Sequence, residues 1–303
     1  MASWETALAH RDLTLANGVL HGLGFEVPVE FVENDGAFGQ AFPFGTVGPV
    51  ELGAIDGAPG ALVLSMPIEL DRGRAAFSKL ARALEAAGGL GIRIEQSKLG
   101  FAIADWRELI DGISSASLHR LAVVMLGGAG SVTTCGMHVF SLPDSEVALA
   151  AHTDAETANA FLLSLNVYQL AEDPLLLSGH RFAPNPETPQ RPLVRWPDAS
   201  YAPEHPCHNS FGVWRVGAPG SRAPSPGKLA LVFMPALAAL LSAAEDAAGT
   251  SLTRVQVEAI RDKAVCVTME HRSAQRLERS RGYADLEPSL AWEQWQVLQL
   301  HRR

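Results

Sequence analysis

The chain has 303 residues, of which 47% are hydrophobic and 19% charged, and its formal net charge is −9. That composition is enough for a substantial core and excludes disorder, which needs low hydrophobicity and high charge. The acidity disfavours nonspecific binding to nucleic acid and to anionic membranes, and it is concentrated in the first 250 residues, because Ser251 to Arg303 holds nine Lys and Arg against seven Asp and Glu.

Ser3 is placed to cap a first helix running to about Leu23, with Leu8, Leu15, Val19 and Leu23 at helical spacing and Gly24 as its stop. From Phe25 to Ile68 apolar residues sit among many Gly and Pro, which predicts short strands and turns; Ala61 to Met66 reads as a buried strand. Asp71 opens a second helix whose apolar face is Phe77, Leu80, Ala81 and Leu84, stopped by Gly88-Gly89. Ile92 to Glu95 alternates as a strand, and Asp105-Trp106-Arg107-Glu108 has the spacing of a helix start. A buried strand is expected over Leu121 to Leu126, and another over Met137 to Val147, broken near Pro143.

Thr153-Asp154-Ala155-Glu156 is a capping box, and Ala158, Phe161, Leu162, Leu165 and Tyr168 form one apolar stripe behind it, ending before Pro174. The stretch from Ser178 to Gly227 has prolines too dense for regular helix, yet it carries Phe182, Trp196, Tyr201, Phe211 and Trp214. Those aromatics predict a long ordered loop, and long ordered loops tend to carry function. Leu229 to Phe233 returns to strand, Pro235 suits the first position of a helix to Gly249, and Thr253-x-x-Gln256 is a second capping box. Val265 to Met269 reads as a strand, followed by an Arg-rich helix to Gly282 and a last segment with Trp292 and Trp295. Without a regular βαβ rhythm or a glycine fingerprint, the expected class is α+β: mixed or antiparallel sheets packed against several helices, with the long Pro/aromatic loop. One compact unit over 1–303 is expected, with possible lobes 1–150 and 151–303.

Cys135, Cys207 and Cys266 are odd in number and far apart, which argues against a disulfide framework and for a reducing compartment. Glu5, His10, Arg11 and Asp12 interrupt any apolar leader, and no run of about 18 apolar residues exists to span a membrane. The cytoplasm is the expected location.

The candidate chemistry is sparse. His180, His205, Cys207 and His208 are ligand types for Zn²⁺, but their spacing matches no structural zinc pair, and neighbours in extended chain point apart. Hydrogen bonding within the loop is the plainer reading, and no cofactor is expected. Cys207 as a nucleophile would need a nearby base, from His180, His138 or His208, and no local signature surrounds it. Asp144 with Glu146, or Asp198 with Glu204, could form an acid/base pair but read more simply as a solvated face. Arg272, Arg276 and Arg279 share one helix face and suit a phosphate, an acidic partner or local ion pairs. Gly88-Gly89-Leu90-Gly91 follows a helix rather than a strand, so it reads as a helix stop. His138, on an apolar strand, reads as a satisfied core histidine, and Trp292 and Trp295 as core or lid.

Cys135-Gly136-Met137-His138-Val139-Phe140-Ser141-Leu142-Pro143-Asp144, then Asn166-Val167-Tyr168-Gln169-Leu170, then His208-Asn209-Ser210-Phe211-Gly212-Val213-Trp214 resemble a bacterial domain-of-unknown-function family. Arg279-Ser280-Arg281-Gly282-Tyr283-Ala284-Asp285 looks like part of the same pattern. The resemblance implies a setting among polymorphic-toxin and type VI secretion genes, where immunity proteins are common; it supplies no catalytic residues.

The expectation is therefore a non-catalytic cytoplasmic binding protein, an immunity or accessory protein with a toxin or secretion component as partner. Its binding anchors would be Trp196, Tyr201 and Trp214 on the loop. The alternatives are a hydrolase using the His/Cys residues with or without Zn, and an oligomeric scaffold.

Overall fold

The computed structural model describes residues 13–24, 26–65, 73–111, 114–128, 130–149, 154–221 and 227–301. Chain contacts divide it into two compact units, Met1–Val124 and Met125–Arg303. Helices and mixed or antiparallel sheets intermingle in an α+β fold.

In the first unit, β1 (Thr14–Ala16) and β2 (Val19–His21) form a hairpin where a helix to Leu23 was expected. Asn17 and Gly18 sit at φ 52° and 74°, and two successive left-handed residues close a tight hairpin whose twist matches its strands. The expected start of that helix at Ser3 lies outside the described residues. β3 (Val27–Glu33) and β5 (Gly60–Leu64) extend the hairpin into a sheet of order β1-β2-β3-β5. β5 is half-exposed rather than buried, with Val63 46% accessible.

β4 (Phe44–Gly45), β6 (Gly91–Ile94) and β7 (Leu99–Ala102) make a second, small sheet. Between β4 and β5 lies a helix that the Gly-rich pattern hid, α1 (Pro49–Asp56), with Pro49 at its first position. α2 (Gly73–Ala86) lays Ala76, Leu80 and Ala83 against Leu13, Leu20 and Val27, and α3 (Ile103–Asp111) and α4 (Ser115–Ala122) follow. The expected buried strand over Leu121 to Leu126 is thus divided between the end of α4 and β8 (Val124–Gly127).

The second unit is built on a six-stranded sheet of order β11-β12-β13-β10-β9-β8. Its members are β9 (Ser131–Cys135), β10 (Asp144–Ala148), β11 (Arg181–Phe182), β12 (Arg191–Trp196) and β13 (Val213–Val216). β10 pairs β13 in parallel, and every other pairing with a resolved register in this sheet is antiparallel. The expected strand over Met137 to Val147 starts only at Asp144; Met137–Phe140 is a 3₁₀ turn entered through Gly136 at φ 127°.

Helix α5 (Ala155–Glu172) covers one face of this sheet. Its cap is Asp154, one residue later than the expected Thr153, which lies outside the described residues. Asp154 Oδ1 accepts from the Thr157 amide at 2.7 Å. Of the predicted stripe, Ala158, Phe161, Leu162 and Leu165 are buried against Val132, Val147, Leu193, Trp214 and Val216, so period 3.6 on the helix meets period 2 on the strands, whereas Tyr168 is exposed.

A second core gathers Phe233 of β14 (Ala230–Phe233) with Leu237 and Leu241 of α6 (Leu237–Ala248), Val257 of α7 (Arg254–Lys263) and Trp295 of α9 (Ala291–Leu298). Pro235 precedes α6 by two residues instead of opening it. The Thr253/Gln256 capping box is present in full. β15 (Cys266–Met269) pairs antiparallel with β14 as a two-stranded ribbon, and α8 (His271–Arg281) ends at Gly282, φ 81°.

Candidate functional site

Three strands, β11, β12 and β13, fall inside the predicted long loop from Ser178 onward. Its proline density masked the alternation of Leu193, Val194, Arg195 and Trp196. The longest irregular stretch between these strands, 197–212, is tied down by a buried polar network.

Asp144, 2% exposed at the start of β10, is the hub. Its Oδ1 accepts from Thr134 Oγ1 and the Met137 amide, both at 3.1 Å, and its Oδ2 accepts from Asn209 Nδ2 at 2.6 Å. Asn209 also donates its amide to Asp198 Oδ2 at 2.9 Å and Nδ2 to the Leu142 carbonyl at 3.0 Å. On the α5 side, Ser145 Oγ donates to Asn166 Oδ1 at 2.7 Å, Asn166 Nδ2 to Thr134 Oγ1 at 3.3 Å, and Gln169 Nε2 to Asn166 Oδ1 at 3.3 Å. Trp214 Nε1 completes the chain by donating to Gln169 Oε1 at 3.1 Å. Seven buried polar residues thus satisfy one another across β9, β10, β13, α5 and the loop, and such a network specifies one arrangement of the elements it joins. Asp144, Asn166, Gln169, Asn209 and Trp214 come from the first three stretches that carry the resemblance, while Thr134, Ser145 and Asp198 lie outside them. The fourth is stitched on by Ser210 Oγ donating to the Gly282 carbonyl at 2.6 Å and the Ala284 amide donating to the Ser210 carbonyl at 2.9 Å.

The sequence-predicted residues fall around this network with different fates. Trp214 is 2% exposed and belongs to the core, so it cannot act as a surface anchor. Trp196 is half-buried, with the Arg215 guanidinium 4.6 Å from its ring centre, and Tyr201 stacks on His205 at 4.8 Å. His205 Nδ1 accepts from the Cys207 amide at 3.1 Å. His208 Nδ1 lies 3.0 Å from the Tyr201 carbonyl and 3.6 Å from Asp198 Oδ2. His180 is elsewhere, bonded through its backbone to Leu177 and Leu193 at the entrance to β11. Among the described residues no three His, Cys, Asp or Glu side chains are placed to hold a metal.

Cys135 and Cys207 are both buried, with Cys135 Sγ 3.6 Å from the Cys207 carbonyl. Burial, reinforced by the Asp144 carboxylate, pushes the Cys135 thiol far up. Burial, with the nearby cysteines and Asp198, likewise pushes the Tyr201 phenol up to about 12. His138 faces this group: its Nε2 is 3.1 Å from the Pro206 carbonyl and its Nδ1 is 3.9 Å from Asp144 Oδ2.

The paired carboxylates also separate. Asp144 is buried where a solvated face was expected, whereas Glu146 meets Arg215 at 3.3 Å. The expected Arg272/Arg276/Arg279 stripe divides too. Arg272 and Arg279 converge on Asp173, the left-handed C-cap of α5, while Arg276 reaches Ser273.

Beside the network opens a cleft of about 420 Å³, walled by Leu175–Leu177, Leu229–Val232, Trp196 and α8 residues such as Gln275 and Leu277. Most charged groups on it are already occupied. Arg195 makes a two-pronged pair with Glu278 at 2.6 and 3.0 Å. Asp285 accepts from the amides of Leu237, Ala238 and Leu286, and burial holds its carboxyl above the usual range. Arg281 donates to the Phe233 carbonyl at 3.2 Å and to Met234 Sδ at 2.8 Å, with no carboxylate within 4.0 Å among the described residues. The apolar walls are open: Leu229 is 53% and Leu231 42% exposed. Sequence reasoning missed this cleft because its two sides lie on segments with no motif.

No protein-family model matches the chain, and no curated protein or solved structure matches it.

Proposed function

We propose that the protein is a non-catalytic binding protein whose recognition surface is the cleft of the second unit. The observation that carries this reading is the contrast in occupancy. His205 and His208 are bonded to the loop's own backbone, and Cys207, the candidate nucleophile, is buried. The cleft, by contrast, presents accessible leucines beside polar groups, as binding pockets do. Three free cysteines suit a reducing cytoplasm. The resemblance supplies the partner class: a toxin or secretion component, with this chain as its immunity or accessory protein.

The test is titration of the purified protein into the products of neighbouring genes, with growth rescue scored when a toxic one is co-expressed. Binding at about 1 μM or tighter, about −8 kcal/mol, is expected for one of them. Leu231→Asp should weaken that complex while leaving the melting temperature within a degree or two. No partner, or substrate turnover that Cys207→Ala abolishes, overturns the reading.

A further inference from the structure

Cys135 and Cys207 lie 72 positions apart in the chain and meet in the second unit. Cys135 is the last residue of β9, and Cys207 sits in the irregular stretch 197–212. They are 3% and 4% exposed. Cys135 Sγ is 3.6 Å from the Cys207 carbonyl, and the two side chains are hydrogen-bonded to each other. The small apolar character of cysteine explains the burial of each. Their contact needs the backbone on both sides to be fixed.

One carboxylate grips both flanks. Asp144 Oδ1 accepts from the amide of Met137, two residues after Cys135, and its Oδ2 accepts from the side chain of Asn209, two residues after Cys207. A second tie runs beside it. A carbonyl only accepts, so His138 Nε2 is the donor across 3.1 Å to Pro206, the residue before Cys207. The Cys207 amide donates to His205 Nδ1 at 3.1 Å. Two thiols on backbones held in this way have a high effective concentration toward each other. Cys266 is the contrast: it is exposed on β15 and faces Phe233 across the ribbon, not another cysteine.

We infer that Cys135 and Cys207 are a modification site, a dithiol that a peroxide joins into a disulfide, clamping the stretch 197–212 onto the end of β9. One thiolate attacks a peroxide oxygen, the O–O bond breaks, and a sulfenic acid forms with release of one water. The second sulfur displaces the sulfenic oxygen as a second water, and the S–S bond forms. Two electrons leave the sulfurs, and both thiol protons end in water. Burial holds Cys135 in the thiol form, so the reaction proceeds through openings of the stretch 197–212, in which a thiolate meets solvent. The clamped stretch carries Asp198 and His208, which line the cleft, so oxidation stiffens that wall. The inference holds whatever the cleft binds.

The test adds hydrogen peroxide to the intact, folded Cys266→Ser protein, which keeps this pair alone. After quenching and denaturation the thiol count is expected to fall from two to none, with the mass lower by two hydrogens and one peptide pair linked through Cys135 and Cys207. Closing a loop of 72 positions restricts the unfolded chain, so the melting temperature should rise by about 5 °C and return on reduction. Cys207→Ser should show no such rise under the same peroxide. Asn209→Ala, which loosens the stretch, should speed the oxidation several-fold. A thiol count that stays at two, a gain of oxygen in place of the lost hydrogens, or a bridge that forms only in urea would overturn the site. A bridge that lowers the melting temperature would overturn the clamp.

Discussion

The polar network around Asp144 and the cleft beside β14 lie in the same unit and differ in one respect. In the network, seven buried polar residues answer one another, and the histidines nearby are bonded to the loop backbone. In the cleft, Arg195 pairs with Glu278, and the apolar walls at Leu229 and Leu231 are open. A density of histidine, cysteine and aspartate draws the eye toward catalysis, yet here those side chains hold a loop on a sheet. The open groups are instead the exposed leucines Leu229 and Leu231, in a segment with no chemical signature. What a site can do is set by what its groups have left to bond.

The comparison breaks most readily at Asp144. Asp144→Ala leaves Thr134, the Met137 amide and Asn209 without their acceptor, and should destabilise the second unit by about 3 kcal/mol. Urea unfolding would record this as a lower midpoint; a loss under about 1 kcal/mol would mean that the network does not anchor the loop. Trp214→Phe keeps the ring in the core but strands Gln169 Oε1, at a cost of about 1–2 kcal/mol read from the same urea midpoints.

The smallest effect concerns pH. Burial holds the folded carboxyl of Asp285 above the ordinary aspartate value, so the folded state takes up its proton more readily than the unfolded chain does. Its contribution is fully present below that value and is lost as pH rises through the folded pKa. The stability of the wild type relative to Asp285→Asn should therefore fall across that window, measured as the difference in urea midpoints. A relative stability that instead rises with pH would mean that the three backbone amides outweigh burial.

The elements that could be read from the sequence are those whose periodicity and caps agree. The stripe on α5 as far as Leu165, the Thr253/Gln256 box of α7 and the glycine stops at Gly249 and Gly282 stand as expected. The N-terminal region misled because Leu15, Val19 and Leu23 fit a helical spacing by coincidence, while Asn17-Gly18 carried the stronger local signal. α1 was hidden by flanking glycines, and β12 by the prolines on either side of it. The network could not be read at all: Asp144 meets Asn209 across 65 positions and Gln169 meets Trp214 across 45, so no local pattern encodes either pair.

The parallel seam between β10 and β13 has a consequence for how the chain is assembled. Asp144 aligns with Val213, and everything from α5 through β12 lies between them along the chain. The antiparallel contacts on either side, β9 with β10 and β12 with β13, are nearer in sequence and close shorter loops. Loop-closure entropy therefore predicts that each half-sheet pairs before the seam does, so that a substitution weakening the seam alone should mainly speed unfolding rather than slow folding.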